Sequence, residues 1–340
     1  MNFRLQFRRY RLPLRVAVRT AHGLWSEREG VVVRLENEVG AAGFGEAAPI
    51  PWFGTETADE VAAACAELGG SVDVERIASV PPRLGCLRNA LAAARREISG
   101  EVKPRGESDA SYLAVAALLP AGRAASAEIA AKADAGFRTF KWKVGVGDVA
   151  DELAWLDDVC AELPDGAKLR LDANGAWDRR RAERWLERCA ERPVEFVEQP
   201  IAREARGAED LLRGLAADYP TPIALDESLV SEGDVERWIG AGWPGIFVVK
   251  PTLIGNVEAV IARLAAAKAK AVFSSALETA VGARAALRWA FAWPGERRAL
   301  GFGVWPLFAD TRFDGPPAAA FLRWSDVERI DVEAVWNALG

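Results

Sequence analysis

A single histidine in 340 residues removes whole classes of chemistry. No multi-histidine zinc site can be built from it. A serine or cysteine hydrolase would have to use His22 itself, and nothing around it has the sequence of a nucleophile elbow. Cysteine is almost as scarce. Cys65, Cys86, Cys160 and Cys189 lie in helix-like sequence without CxxC spacing, as expected for free thiols in a reducing cytoplasm. No apolar run is long enough to cross a bilayer. The net charge of −6 is too mild to imply a nucleic-acid or membrane partner. The N-terminus is Arg-rich and has no acid before Glu27, but it lacks the apolar core of a signal peptide. Its near-alternation of apolar and basic side chains predicts a half-exposed strand instead, and a cytoplasmic protein.

What is present is a repeat. After strand-like runs up to about residue 45 come two helix-like stretches, ADEVAAACAELGG and CLRNALAAARREISG, separated by a break at Pro81-Pro82. From about Tyr112 the pattern becomes strand, turn, helix. The strand candidates are SYLAVAALL, TFKWKVG, KLRLDANG, VEFVEQP, PIALDES, IFVVKPT, AVFSSALE and ALGFGVW. From the second onward they recur about every 25–30 residues, the span of one βα unit. Eight strands with helical stretches between them predict a βα barrel more than an open sheet. No glycine-rich phosphate loop follows the first strand, which weighs against a dinucleotide-binding fold. The last segment, SDVERIDVEAVWNALG, is expected to return to the N-terminal part.

A barrel brings the C-terminal ends of its strands to one face. Asp172, Glu198 and Asp226 each sit at or just past the apolar part of consecutive strands, so three carboxylates would converge there. That set suits Mg²⁺, which takes oxygen ligands and keeps positions open for water or substrate. Glu227 adjoins Asp226, and strand neighbours point opposite ways, so it is expected to miss the metal, although it could still pair with a lysine at the mouth. Lys141 and Lys143, two apart, should both face the interior, where a lysine is costly without a partner or a task. A neighbouring ammonium and desolvation are expected to lower their pKa values, with Lys143 the better placed general base. Lys250 should approach from the opposite side. A metal clamped on a carboxylate beside a lysine suits abstraction of the proton α to that carboxylate.

These residues resemble the enolase superfamily, in its muconate-lactonising subgroup. The KxK motif is matched by Lys141-Trp142-Lys143, the metal ligands by Asp172, Glu198 and Asp226, and the distal lysine by Lys250. The resemblance implies a modified TIM barrel, (β/α)7β, with an α+β capping domain. It divides the chain into a cap at 1–108, a barrel at 109–308 and a return segment at 309–340. The histidine base of the mandelate-racemase branch has no counterpart. Within the subgroup, LRLDANGAW, EFVEQP, ALDES, VVKPTLIG and FSSALETAVG look most like the o-succinylbenzoate synthase family. That family dehydrates SHCHC, a cyclohexadiene carboxylate, in menaquinone or phylloquinone biosynthesis.

By this resemblance Lys143 removes the α-proton and returns it to the departing hydroxyl, while Lys250 stabilises the enediolate. Mg²⁺ is the implied cofactor, with Mn²⁺ as a substitute. Arg170 and Asn174 would line the metal site, and Ser274 and Ser275, with backbone amides near Gly301 and Gly303, would hold the succinyl carboxylate. Two cap segments, Thr20 to Arg28 and Pro49 to Thr57, are expected to close over the substrate, with Trp25, Trp52 and Phe53 excluding water. His22 is either a polar residue at a strand end or a substrate-facing one. Rival readings remain. N-acylamino-acid racemases and dipeptide epimerases use the same lysines, although GFGVWPLFAD lacks the DxD motif usual in the epimerases. A non-catalytic metal-binding barrel would have no need for buried cations.

Overall fold

Alternation sets the first layer. In β1 (Asn2–Thr20) Phe3 and Leu5 are buried while Asn2 and Arg4 are exposed, the alternation of a one-sided strand, and Tyr10, of the opposite parity, is buried in a separate apolar cluster. The computed structural model describes residues 2–20, 23–100 and 112–340, so His22 and the expected boundary at 108 lie outside the described residues. β1 pairs antiparallel with β2 (Gly23–Asn37), which pairs with β3 (Ala42–Ala47), and β4 (Ser71–Asp73) covers the other edge of β1. Gly23 to Arg28, part of a segment expected to close over the substrate, is therefore strand, and the pairing of β1 with β2 shifts register between Pro13 and Val18. Helices Ala58–Leu68 and Gly85–Ser99 lie on this sheet. The second approaches so closely that a Cβ on Gly43 or Gly45 would collide with the carbonyls of Ala94 and Ala90.

The chain then enters β5 (Tyr112–Ala114) and β6 (Ala117–Leu119), followed by β7 (Thr139–Lys143), β8 (Lys168–Asp172), β9 (Val194–Glu198), β10 (Ile223–Leu225), β11 (Ile246–Val249) and β12 (Lys270–Phe273). Strands β6 to β12 form one parallel sheet in sequence order. A helix follows each, from Ala124–Asp134 after β6 to Ala280–Ala292 after β12. Phe140 and Trp142 of β7 are buried against the helical layer, and Phe196, Ala224, Ile246, Val248 and Val272 form a second cluster inside the curled sheet.

Two expected strands take a different form. SYLAVAALL is split, because β5 leaves the barrel to pair antiparallel with β13 (Phe321–Arg323) far along the chain. ALGFGVW contributes only isolated parallel bridges, Leu300 to Val115 and Gly301 to Ser274, yet these close the ring. The amide of Gly301 donates to Phe273 at 2.8 Å and that of Ala116 to Leu300 at 2.9 Å.

The C-terminal segment meets the cap. The amide of Ala309 donates to the carbonyl of Pro13 at 3.0 Å, and Trp336 packs on Phe44 with ring centroids 6.0 Å apart. All four cysteines are free and helical. Burial pushes the Cys160 thiol up to about 11 and those of Cys65 and Cys189 to about 12, and raises Cys86 well above its usual value. Among the described residues no helix is long and apolar enough to cross a membrane.

Candidate active site

Register gathers the charged side chains. Lys143 is opposite Asp172 across β7 and β8, and Asp172 is opposite Glu198 across β8 and β9. Asp226 follows the last residue of β10, and Lys250 follows the last of β11. All but Glu198 line one cavity of about 400 Å³ at the C-terminal ends of the strands. Glu198 lies beneath it, only 2 % exposed.

Ammonium groups neutralise the carboxylates. Lys141 Nζ stands 2.7 Å from Glu198 Oε1 and 3.0 Å from Asp172 Oδ2, and Lys250 Nζ is paired with Asp226. Burial alone would lower both lysines. It is outweighed at Lys141 by Asp172, Glu198 and Asp226, and at Lys250 by Asp226, Glu198 and Glu227, so both are held above their usual value. The lowering expected for Lys141 from its neighbouring lysine is thus reversed by three acids. Burial opposes ionisation of Asp172, but Lys141 and Lys143 overcome it and hold the group below its usual value. Glu198 goes the other way, pushed up to about 8 by burial against the pull of Lys141, with Asp172 and Asp226 adding to the rise. Within this mutual pair the direction that follows from geometry is a charged Lys141, because it faces more than one carboxylate.

The donor set fits a hard divalent cation. Three carboxylates converge, and Asp172 Oδ1 and Glu227 Oε2 are buried without a hydrogen-bond partner. Among the described residues no three acidic, cysteine or histidine side chains are drawn tightly enough together to ligate an ion as they stand. One oxygen of each of the three carboxylates is turned to an ammonium group instead.

Glu227 corrects the alternation argument. β10 ends at Leu225, so Asp226 and Glu227 lie on a turn where the two-residue period no longer applies. Glu227 lines the cavity, accepts from Asn174 Nδ2 at 2.9 Å and is raised to about 7 by burial, with Asp226 and Asp172 adding. Asn174 in turn accepts from Lys143. Gln199 holds this turn, its Oε1 accepting from the amides of Asp226 at 3.0 Å and Ser228 at 3.2 Å. Only the EQP motif hinted at it.

Arg170 does not reach the cavity. It shares the parity of Asp172 but sits one layer down, donating to Glu195 at 2.7 Å and to the carbonyl of Ala299 at 2.7 Å, over the ring of Phe196. Gly303 is likewise off the wall, packed on the carbonyl of Ala116. Gly301 lines the cavity, but its amide is spent on Phe273. Ser274 and Ser275 are on the wall with their hydroxyls committed, to Gly301 O at 3.2 Å and Glu278 Oε2 at 3.1 Å.

The cap supplies the roof. Trp25, Trp52 and Phe53 all line the cavity beside Val18 and Ile50. Trp25 meets Trp52 edge-on at 4.7 Å, and Phe53 lies 5.4 Å from Lys250 Nζ. Arg28, 1 % exposed, fixes the roof to the barrel. It donates to Ala48 and Pro49 in the cap and to Leu277 at 3.1 Å in the barrel. Nothing in the sequence distinguished it from the other N-terminal arginines.

Residues 3–81 match the MenC N-terminal domain, and residues 124–320 match the enolase C-terminal domain-like family. An o-succinylbenzoate synthase of Thermosynechococcus vestitus is 40% identical over 309 residues, covering 88% of this chain and 92% of its own length. The chain belongs to the o-succinylbenzoate synthase family. A second member, from Yersinia enterocolitica, is 31% identical over 292 residues, covering 81% of this chain and 82% of its own. The crystal structure of o-succinylbenzoate synthase from Thermosynechococcus elongatus, with magnesium in its active site, superposes with a TM-score of 0.84 at 36% identity. It covers 98% of this chain and 99% of that one. The L-Ala-D/L-Glu epimerase of Bacillus subtilis, at 21% identity and a TM-score of 0.80 over 94% of each chain, shares the fold.

Proposed function

We propose that this chain catalyses the metal-dependent syn-dehydration of SHCHC to o-succinylbenzoate, as a carbon–oxygen lyase of menaquinone or phylloquinone biosynthesis. One observation carries the reading. Lysines on β7 and at the end of β11 face the same roofed cavity, with the carboxylates of three intervening strands between them. Family membership supports it.

The residues that would hold Mg²⁺, or Mn²⁺ in its place, are Asp172, Glu198 and Asp226. Such an ion supplies positive charge to the substrate carboxylate, without which the α-proton is too weak an acid for lysine. Lys143 takes that proton on its amine nitrogen and gives it to the departing hydroxyl. The C–H and C–O bonds break, water leaves and the ring becomes aromatic. Lys250 sets its ammonium charge against the negative charge that develops. Asn174 accepts a hydrogen bond from Lys143 and so orients its nitrogen. The aromatic roof keeps bulk water from the reacting carbon.

Racemisation of an N-acylamino acid needs the same pair of lysines, one on each face. The test is a side-by-side assay. SHCHC is expected to be dehydrated with kcat/KM well above that for racemisation of any N-succinylamino acid or dipeptide. Faster racemisation would make dehydration the wrong primary function.

A further inference from the structure

Arg203, in the loop after β9, lines the cavity but has no part in the chemistry above. A single nitrogen of its guanidinium joins the two halves of the molecule. Nη1 donates to the carbonyl of Phe53 in the cap at 2.7 Å and to the carbonyl of Glu227 in the barrel at 2.9 Å. Its Nε lies 3.5 Å from Glu204. Gly54, at φ 94°, turns the chain directly above, where a Cβ would stand 3.6 Å from Nη1. The Phe53 carbonyl is the last of the short 3-10 turn Pro51–Phe53, and such terminal carbonyls lack a partner within their own turn. A cationic donor there makes a stronger hydrogen bond than a neutral one.

We propose that Arg203 is a positioning residue that latches the cap turn bearing Trp52 and Phe53 onto the barrel turn bearing Asp226 and Glu227. One guanidinium nitrogen thereby sets both the roof of the cavity and the placement of its acidic wall. The consequence for turnover rests on the dehydration reading, but the latch can be tested without it. Because both hydrogen bonds leave from one nitrogen, an ammonium can replace it, whereas a thioether of similar length cannot.

The experiment compares the full chain with Arg203→Met and Arg203→Lys, by hydrogen–deuterium exchange and by kinetics on SHCHC. The amides of Phe53 and Gly54, bonded within the turn at 2.8 and 2.9 Å, are the reporters. Arg203→Met is expected to speed their exchange several-fold while leaving β3 and β8 unchanged. It should also lower kcat/KM by about tenfold to a hundredfold, mostly through KM, the scale of a small misplacement. Arg203→Lys should recover most of both effects. Unchanged exchange in Arg203→Met overturns the latch even if KM rises, since simple attraction of an anionic substrate would do that. So does a lysine variant no better than methionine in exchange. If Arg203→Met does not fold, Arg203→Leu, which also lacks a donor, takes its place with the same reporters. Should the parent enzyme fail on SHCHC, the dehydration reading falls, while the exchange comparison still decides the latch.

Discussion

Lys141 holds two carboxylates on one ammonium, 2.7 Å from Glu198 and 3.0 Å from Asp172. Asp172→Asn, Glu198→Gln and Asp226→Asn are each expected to abolish turnover and to remove the thermal stabilisation that Mg²⁺ gives the parent, since they change ligand charge more than volume. Chelation should silence the parent, and full activity in metal-free enzyme would sink the metal assignment. Lys143→Ala and Lys250→Ala should each raise the barrier by roughly 3–5 kcal/mol, or two to nearly four orders of magnitude in kcat. Near-normal kcat in either would contradict its role. Glu278, behind Ser275, gives a pH signature. Burial pushes its carboxyl from 4.5 up to about 7, with Glu46 adding to the rise. A raised carboxyl binds its proton more tightly in the folded state. Its stabilisation is therefore complete below about pH 4.5, declines from there, and is gone above about pH 7. Between pH 5 and 8 the parent should lose roughly 2–3 kcal/mol more stability than Glu278→Gln in urea melts. Parallel pH profiles would refute this.

Elements of the barrel are stitched to elements of the cap. Glu46 of β3 accepts from Tyr10, from the amide and hydroxyl of Thr279, and from the amide of Gly282 at 2.8 Å. A cap carboxylate thus closes the N-terminus of the barrel helix Ala280–Ala292, where the helix dipole favours negative charge. Glu46→Gln puts an amide donor among those donors and should cost about 1–3 kcal/mol in urea denaturation; an unchanged midpoint would count against it. Elements of this kind were only partly legible in the sequence. Fully buried parallel strands read as continuous apolar runs, so β7 to β12 and the residues at their ends could be seen directly. β5 was read as a barrel strand, but its pairing was missed because its partner β13 lies some two hundred residues away, and no local pattern encodes such a pairing. ALGFGVW reads as a strand, but Gly301 is pressed against Ser274 and Gly303 against Ala116, so it closes the ring without forming a regular ladder. The site separated along the same line. Residues on strand ends were placed by parity, whereas Glu227, Gln199 and Arg203 sit on turns where parity lapses, and Arg170 had the right parity at the wrong depth.

At the scale of the whole molecule, cap and barrel share too many buried groups to melt apart. Arg28 spends its donors on carbonyls of both, Glu46 joins both, and the C-terminal segment returns across the junction to Phe44. Calorimetry should show one cooperative transition rather than separate melting of cap and barrel, and two resolved transitions would contradict the shared interior. The cysteines have a practical consequence for following this molecule. With Cys160 raised to about 11, Cys65 and Cys189 to about 12, and Cys86 higher than usual, hardly any native thiolate exists at neutral pH. The wild-type chain should be nearly silent toward a maleimide dye. A Glu204→Cys substitution on the exposed rim of the cavity would then be the one quickly labelled position, a fluorescent lamp beside the entrance in an otherwise dark protein.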